Sequence, residues 1–259
     1  METNAPFEAA PPICTLCRVE PARGRSHILP QALHKDLMED GNDVMHVITG
    51  DPQERISRSR TGPWDDSILC AGCEAKSGKY DQSVVEALRT QPVTPSLWID
   101  ANTVEIPGAH ADRMKLGLMH IVWRTHATSR MDFHLEALDA ERLRTFLQDD
   151  DPGGPEDFGV ILAVHDPDPE FEGIWAAPVP REWAPGWHGV HICYSRWEIM
   201  MTCSRGGIPA NVKQALLTTG QPVLATATHI KLRDTVMFKE ALEVARRRIA
   251  AGTWGDDSS

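Results

Sequence analysis

The chain has 259 residues, of which 41% are hydrophobic and 24% are charged, and its formal net charge is −11. This length allows one large domain or two of ordinary size, and the net negative charge argues against a general basic coat for binding nucleic acid. No apolar run is as long as a membrane span, and the N-terminus lacks the basic and apolar regions of a secretory signal. We therefore expect a cytoplasmic protein with no membrane partner.

Two pairs of cysteines with C-x2-C spacing carry the strongest signal in the sequence. The first pair is Cys14 and Cys17, and the second is Cys70 and Cys73. Each pair presents two sulfur atoms from one tight turn, and Zn²⁺ prefers four soft ligands in a tetrahedron. The four cysteines therefore predict a structural zinc site. Two redox C-x-x-C motifs and unrelated core thiols are the alternatives.

The predicted elements between the cysteine pairs place a histidine in a short strand that ends at a proline. A flexible tail is expected at residues 1–12, and a short strand at residues 26–28 contains His27 and is ended by Pro30, which lacks a backbone N–H group. His34 follows and is expected to face solvent. The other predicted elements, in chain order, are a helix at 31–40, a strand at 44–49, a turn at 62–66, a strand at 67–69 and a helix from Glu74.

This order of elements and motifs resembles the HNH endonucleases, whose ββα-metal motif lies on a zinc-stabilised hairpin and helix. The wording I-C-x-L-C, S-H-I-L-P and I-L-C-x-x-C-E is similar to a bacterial subgroup of that family, and Trp123-Arg124 also fits the subgroup. The resemblance covers residues 13–90. It implies a metal-dependent nuclease domain that hydrolyses phosphodiester bonds in nucleic acid, with DNA as the expected substrate and phage defence or a mobile element as a possible setting.

The resemblance also implies roles for individual residues. His27 would be the general base that deprotonates water, and Glu74 would help to hold a catalytic Mg²⁺ or Mn²⁺, with Asp81 as a further carboxylate ligand. The family usually has Asp or His where this chain has Ser26, and Asn or His where it has Glu74. A core histidine, a helix N-terminal charge and a surface aspartate are the corresponding alternatives for His27, Glu74 and Asp81.

Two local groups of arginines flank the cysteine and histidine stretch. They are candidates for phosphate contacts in an otherwise acidic chain, although solvated loop charge explains them equally well. The candidate nucleic-acid-binding residues are Arg23, Arg25, Arg58 and Arg60.

The remainder of the chain predicts an α+β domain at residues 96–259 with a mainly antiparallel sheet, joined to residues 13–90 by a proline-containing linker at 91–95. Cys193 and Cys203 lie in apolar runs and are expected to be buried free thiols. Predicted strands lie at 104–107, 158–164, 190–194, 198–203 and 223–232, predicted helices lie at 112–126, from 139 and at 235–251, and turns rich in Pro and Trp are expected between 166 and 189.

The sequence leaves three hypotheses for function. The first is an HNH-type nuclease that depends on His27. The second is a non-catalytic zinc-binding module that recognises nucleic acid or a protein, which Ser26 and the net negative charge favour. The third is a redox protein that uses its C-x-x-C pairs.

Overall fold

The computed structural model describes residues 11–36, 45–47, 57–59, 61–89, 97–131, 133–168, 175–204 and 206–250. The described ranges form an α+β protein, as predicted. Most of the expected tail and the expected linker at 91–95 lie outside these ranges. The helices are α1 (Gln31–Asp36), α2 (Ala71–Arg89), α3 (Ala111–Ala127), α4 (Ala137–Asp149), α5 (Ala210–Lys213) and α6 (Val236–Ala250), with a 3-10 helix at Leu232–Asp234. The strands are β1 (Ser26–His27), β2 (Met45–Val47), β3 (Ser57–Ser59), β4 (Trp64–Asp65), β5 (Trp98–Asp100), β6 (Thr103–His110), β7 (Val160–Asp166), β8 (Trp175–Ala184), β9 (Trp187–Tyr194), β10 (Trp197–Thr202) and β11 (Pro222–Lys231).

The described residues up to Arg89, called the N-terminal segment below, contain two small antiparallel sheets followed by a long helix. Strand β1 pairs with β4, with His27 opposite Trp64, and β2 pairs with β3. The chain then leaves β4 and enters α2 at Ala71.

The strand predicted at residues 67–69 is not formed, and the predicted turn at 62–66 contains β4 instead. The reason is local, because Asp65 Oδ1 accepts hydrogen bonds from both the backbone N–H group (2.8 Å) and the hydroxyl (2.6 Å) of Ser67. An aspartate that binds the chain two residues ahead forms a turn and ends the strand. The carbonyl of Leu69 then accepts from the N–H groups of Arg23 and Gly24, so it pairs with the segment after the first cysteine pair.

The rest of the chain builds one seven-stranded sheet in the order β5-β6-β11-β7-β10-β9-β8. All of its neighbouring pairs are antiparallel except β11–β7, which confirms the mainly antiparallel prediction. The segment predicted as turns rich in Pro and Trp contains the edge strand β8. Pro178 and Pro180 lack an N–H group and are tolerated there because an edge strand has one unpaired side.

One continuous set of buried side chains joins the N-terminal segment to the large sheet. It includes Leu69 and Val84 from the N-terminal segment together with Leu118 of α3 and Ile199 of β10. Hydrogen bonds also cross between the two parts, since the indole of Trp197 donates to the Leu88 carbonyl at 2.7 Å. The N-terminal segment is therefore packed against α3 and the seven-stranded sheet.

The two cysteines outside the C-x2-C pairs are buried and free, as predicted. Cys193 lies in β9 and Cys203 follows β10, and each has a relative exposure of 2%. Burial raises the pKa of Cys203 to about 12 and that of Cys193 in the same direction, so both behave as small apolar side chains.

The close approach of α2 and α3 at Gly117 gives a test of this packing. A Cβ atom at Gly117 would lie 2.4 Å from Val84 Cγ2 and 2.7 Å from the Tyr80 carbonyl oxygen. We expect Gly117→Ala to lower the free energy of unfolding by about 1–3 kcal/mol, because the helices must separate. Urea unfolding measures this change.

Gly78 provides the matched control, since it lies in α2 with no atom within 4 Å of its added Cβ. Gly78→Ala should raise stability by about 0.5–1 kcal/mol through the helix preference of alanine. Equal effects of the two substitutions would contradict the helix contact.

Candidate functional site

The four cysteines of the C-x2-C pairs converge on one point. Their sulfur atoms all lie within 4.8 Å of one another, and the sulfurs of Cys17 and Cys70 are 3.8 Å apart. A tetrahedral zinc with Zn–S bonds of about 2.3 Å requires S···S distances of about 3.8 Å. The four cysteines could therefore hold a zinc ion, as the sequence predicts.

Backbone hydrogen bonds position both cysteine pairs. In the first pair, the Arg18 N–H group donates to the Cys14 carbonyl at 2.9 Å, and Arg18 has a φ of 58°, which tightens the turn. In the second pair, the Cys73 N–H group points at Cys70 Sγ at 3.5 Å, as expected for a sulfur ligand at a helix start. Cys73 in the first turn of α2 and Cys70 directly before the helix therefore supply half of the site.

The ionisation of these thiols indicates why a cation suits them. Burial raises the pKa of Cys14 and of Cys73. Burial would also raise the pKa of Cys17, but hydrogen bonds with the backbone of Glu20 and Val19 and with the side chains of Cys14 and Cys70 together lower it to about 7. Four thiolates this close would repel one another strongly. A divalent ion at their centre removes that repulsion and favours the deprotonated form.

His27 lies in β1 and is half buried. Its Nδ1 atom is buried without a hydrogen-bond partner in the part of the chain that the structure describes. Burial lowers the pKa of His27 most, the guanidinium groups of Arg25 and Arg124 lower it further, and the Thr61 backbone and Asp81 raise it by less. The imidazole is therefore neutral at neutral pH, which is the form a general base requires.

Glu74 lies at the start of α2 and contacts the residue that precedes His27. The hydroxyl of Ser26 donates a hydrogen bond to Glu74 Oε2 at 2.5 Å. Ser26 itself has no exposed surface. The two residues that depart from the HNH pattern therefore meet in the fold.

Asp81 is engaged by Arg124, which projects from α3. The guanidinium of Arg124 donates to both carboxylate oxygens of Asp81, at 2.8 and 3.0 Å, and its Nε atom donates to the Ile28 carbonyl at 3.3 Å. It also donates to Ser77 Oγ. Histidine, cysteine, aspartate and glutamate side chains can all bind a metal ion. In the described ranges, the four cysteines are the one group of three or more of these side chains close enough to share an ion. Glu74 and Asp81 thus take part in separate interactions.

The role of Arg124 was not predicted, although the sequence contains a signal for it. Arg124 lies on the apolar side of α3 with Ile121 and has no exposed surface. A charged residue at a core position must be paired, so an acidic partner on a neighbouring helix could have been expected.

The prediction that His34 faces solvent is wrong. His34 is fully buried in α1, its ring meets that of Trp175 edge-on at 5.5 Å between centroids, and it lies against Gly62. Burial and then neighbouring His27 lower the pKa of His34 to about 4, and the Leu29 backbone offsets only part of this. A neutral His34 therefore packs behind His27.

The predicted arginines have different positions. Arg25 is exposed, and its guanidinium carbon lies 4.0 Å from the centroid of the Trp64 ring. Arg23 is exposed next to Gly24. Arg58 lies in β3, and Arg60 lies outside the described residues.

A second polar cluster lies away from this site, on the large sheet. Glu198 of β10 lies between His165 (3.0 Å) and His191 (2.7 Å), and Thr228 Oγ1 is 2.8 Å from His165 Nδ1. Burial alone would raise the pKa of Glu198, but hydrogen bonds from both histidines lower it to about 2. The cluster connects side chains of β7, β9, β10 and β11, and no sequence motif marks it.

Comparison with known proteins gives no match to a family model, to a curated protein or to a solved structure. Among the described residues, the helices are too short or too polar for any of them to cross a membrane.

The cysteine cluster predicts one tightly bound zinc ion per chain. Cys70→Ser should abolish stoichiometric zinc and unfold the N-terminal segment, since structural zinc sites contribute on the order of 10 kcal/mol to folding. Metal analysis by mass spectrometry and circular dichroism measure both effects. Cys203→Ser is the matched control and should keep the ion, because Cys203 is remote in the sequence and absent from the cluster. A metal-free, folded parent protein would contradict the assignment.

Proposed function

We propose that this protein is a zinc-stabilised, metal-dependent nuclease of the HNH type that cuts phosphodiester bonds in nucleic acid, with DNA as the favoured substrate. The observation that carries this proposal is the placement of a neutral, half-buried His27 on strand β1, paired with β4 and followed by α2. The pairing of β1 with β4 and the position of α2 after β4, with α1, β2 and β3 inserted between the two strands, support this proposal because the ββα-metal motif consists of two strands and a helix. A cytoplasmic setting, in phage defence or a mobile element, belongs to the same proposal.

His27 would act as the general base in this mechanism. Its neutral ring would accept a proton from the attacking water, and the buried environment and Arg25 keep the ring unprotonated beforehand. Arg124 donates to the carbonyl of Ile28, the residue directly after β1, and so helps to hold the backbone next to His27 in place.

Glu74 is the carboxylate best suited to hold the divalent cation. Ser26 binds its Oε2 atom and orients the group, while Asp81 is paired with Arg124 and would act on the site through that arginine. A bound Mg²⁺ or Mn²⁺ would stabilise the negative charge that develops on the phosphate during hydrolysis.

A non-catalytic zinc module that recognises nucleic acid or a protein is the second candidate. It is favoured by the Asp81–Arg124 pair, which uses both oxygens of one predicted metal ligand. The two candidates differ in one measurable respect, which is cleavage.

The nuclease proposal predicts cutting of plasmid DNA in the presence of Mg²⁺ or Mn²⁺ that depends on His27. His27→Ala should lower the cleavage rate by about 10²–10⁴-fold, which is the usual contribution of a general base. Gel electrophoresis of supercoiled plasmid measures the rate. His110→Ala is the matched control, because His110 is exposed and remote in the sequence.

Both variants should retain the zinc content of the parent, which separates catalysis from folding. Cleavage that persists in His27→Ala would remove this residue from its role. Absence of cleavage by the parent on DNA and RNA would favour the non-catalytic module.

The pH dependence of cleavage provides a separate test. Since the pKa of His27 is lowered, activity should rise with pH through a midpoint below about 6.5, the ordinary value for histidine. Arg25→Gln removes one of the charges that lower this pKa, so the midpoint should move upward. Profiles of kcat/KM against pH measure it, and a midpoint that does not respond to Arg25→Gln would argue against His27 as the base.

A further inference from the structure

An aromatic side chain flanked by two arginines lies directly beside His27. Trp64 is the cross-strand partner of His27 in the β1–β4 pair, so the two side chains share one face of the strands. The guanidinium carbon of Arg25 is 4.0 Å from the centroid of the Trp64 ring, and that of Arg130 is 5.0 Å from it. These three residues, Arg25, Trp64 and Arg130, are called the arginine–tryptophan patch below.

The two arginines reach Trp64 from distant parts of the chain. Arg25 directly precedes β1, and Arg130 lies in the connection between α3 and α4. Both are exposed. A flexible surface arginine that is held against an aromatic ring loses less freedom when it binds a ligand, so the patch is organised before binding.

Within the part of the chain that the structure describes, Arg130 has one ion-pair partner, the carboxylate of Asp65, with Nε 4.0 Å from Oδ2. That same oxygen accepts a 2.6 Å hydrogen bond from Thr128, and the other oxygen of Asp65 is bound by Ser67. Stacking on Trp64 uses the flat face of a guanidinium and leaves its edge suited to an anionic acceptor.

We propose that Arg25, Trp64 and Arg130 bind the phosphodiester backbone of nucleic acid and hold it against His27. This inference rests on the proposed function for its biological role but concerns binding alone. Two guanidinium groups next to His27 are suited to binding successive phosphates of one strand, because the edge of an arginine side chain matches the geometry of phosphate oxygens. Because the net charge of the chain is −11, binding of a polyanion depends on a local concentration of positive charge such as this patch.

Binding can be measured without cleavage in a His27→Ala background. Fluorescence anisotropy with a labelled DNA duplex, at several salt concentrations, gives the affinity and its salt dependence. Arg25→Gln and Arg130→Gln should each weaken binding by about 3–10-fold, and each should lower the slope of log K against log salt by about 1, because each removes one phosphate contact. Trp64→Leu should weaken binding with little change of slope, since both charges remain.

Arg247→Gln is the matched control, because Arg247 is exposed on α6 and paired with Glu243. It should leave affinity and slope unchanged. Zinc content and the thermal unfolding midpoint of every variant should equal those of the parent, so that a loss of binding reports on the patch. A parallel series with an RNA duplex shows whether the contact is to the backbone shared by both polymers or is restricted to one of them, and either result supports the patch.

The outcomes separate this inference from the nuclease proposal. Loss of binding in the arginine variants, with no cleavage by the parent under any condition, supports the patch and refutes the nuclease. Cleavage by the parent with unchanged affinity and slope in the doubly substituted Arg25→Gln, Arg130→Gln variant refutes the patch and leaves the nuclease proposal intact. Failure of the parent to bind either duplex also refutes the patch.

Discussion

The buried guanidinium of Arg124, a residue of α3, is hydrogen-bonded to α2 and to the residue that follows β1 in the candidate site. It has no exposed surface and contacts Asp81 and Ser77 of α2 and the Ile28 carbonyl next to β1. A charge in such a position is tolerated only when its donors are satisfied, because an unpaired buried charge costs several kcal/mol. The requirement to satisfy it fixes α2, α3 and β1 relative to one another. The backbone that carries His27 lies directly next to this contact.

Hydrogen bonds attach strand β1 to the rest of the molecule on both sides, next to the cysteine cluster at one end and through Arg124 at the other. On one side, the backbone of Arg23 and Gly24 binds the Leu69 carbonyl next to Cys70. On the other side, the Ile28 carbonyl binds Arg124. Zinc binding on the order of 10 kcal/mol is comparable with the whole stability of a typical domain, about 5–15 kcal/mol. A two-residue strand is too short to be stable alone, so its order depends on these two attachments together with its pairing to β4.

The parts of the fold that could be predicted from sequence are those with a local signal. The spacing of the cysteines indicates their convergence, and helix α3 and strands β9 and β11 follow from runs of apolar residues. Strand β4 could not be predicted in this way, because two residues carry no periodicity and their partner β1 lies far away in sequence. Strand β8 was missed because its prolines indicate turns, and only its position at the edge of the sheet permits them.

The candidate site shows the same division between local and long-range information. The types of its residues are visible in the sequence, but their partners are not, since Asp81 meets Arg124 across 43 positions and Arg130 meets Trp64 from a different segment. The burial of His34 likewise depends on Trp175 of β8, the strand that was not predicted from the sequence. Chemistry can thus be inferred from residue types, whereas which groups face one another is decided by tertiary packing.

The contact between Ser26 and Glu74 makes two apparent departures from the HNH pattern a single change. The pattern has an acidic residue or histidine at the position of Ser26, and this chain has a carboxylate at the start of α2 instead. The two side chains lie at hydrogen-bond distance, 2.5 Å between oxygen atoms. Two carboxylates at such a distance would repel, and one would have to be protonated. A hydroxyl at position 26 can instead donate a hydrogen bond to Glu74 at the helix start, where the macrodipole favours a negative charge. Under the proposed function, the hydroxyl of Ser26 therefore positions the Glu74 carboxylate at the start of α2.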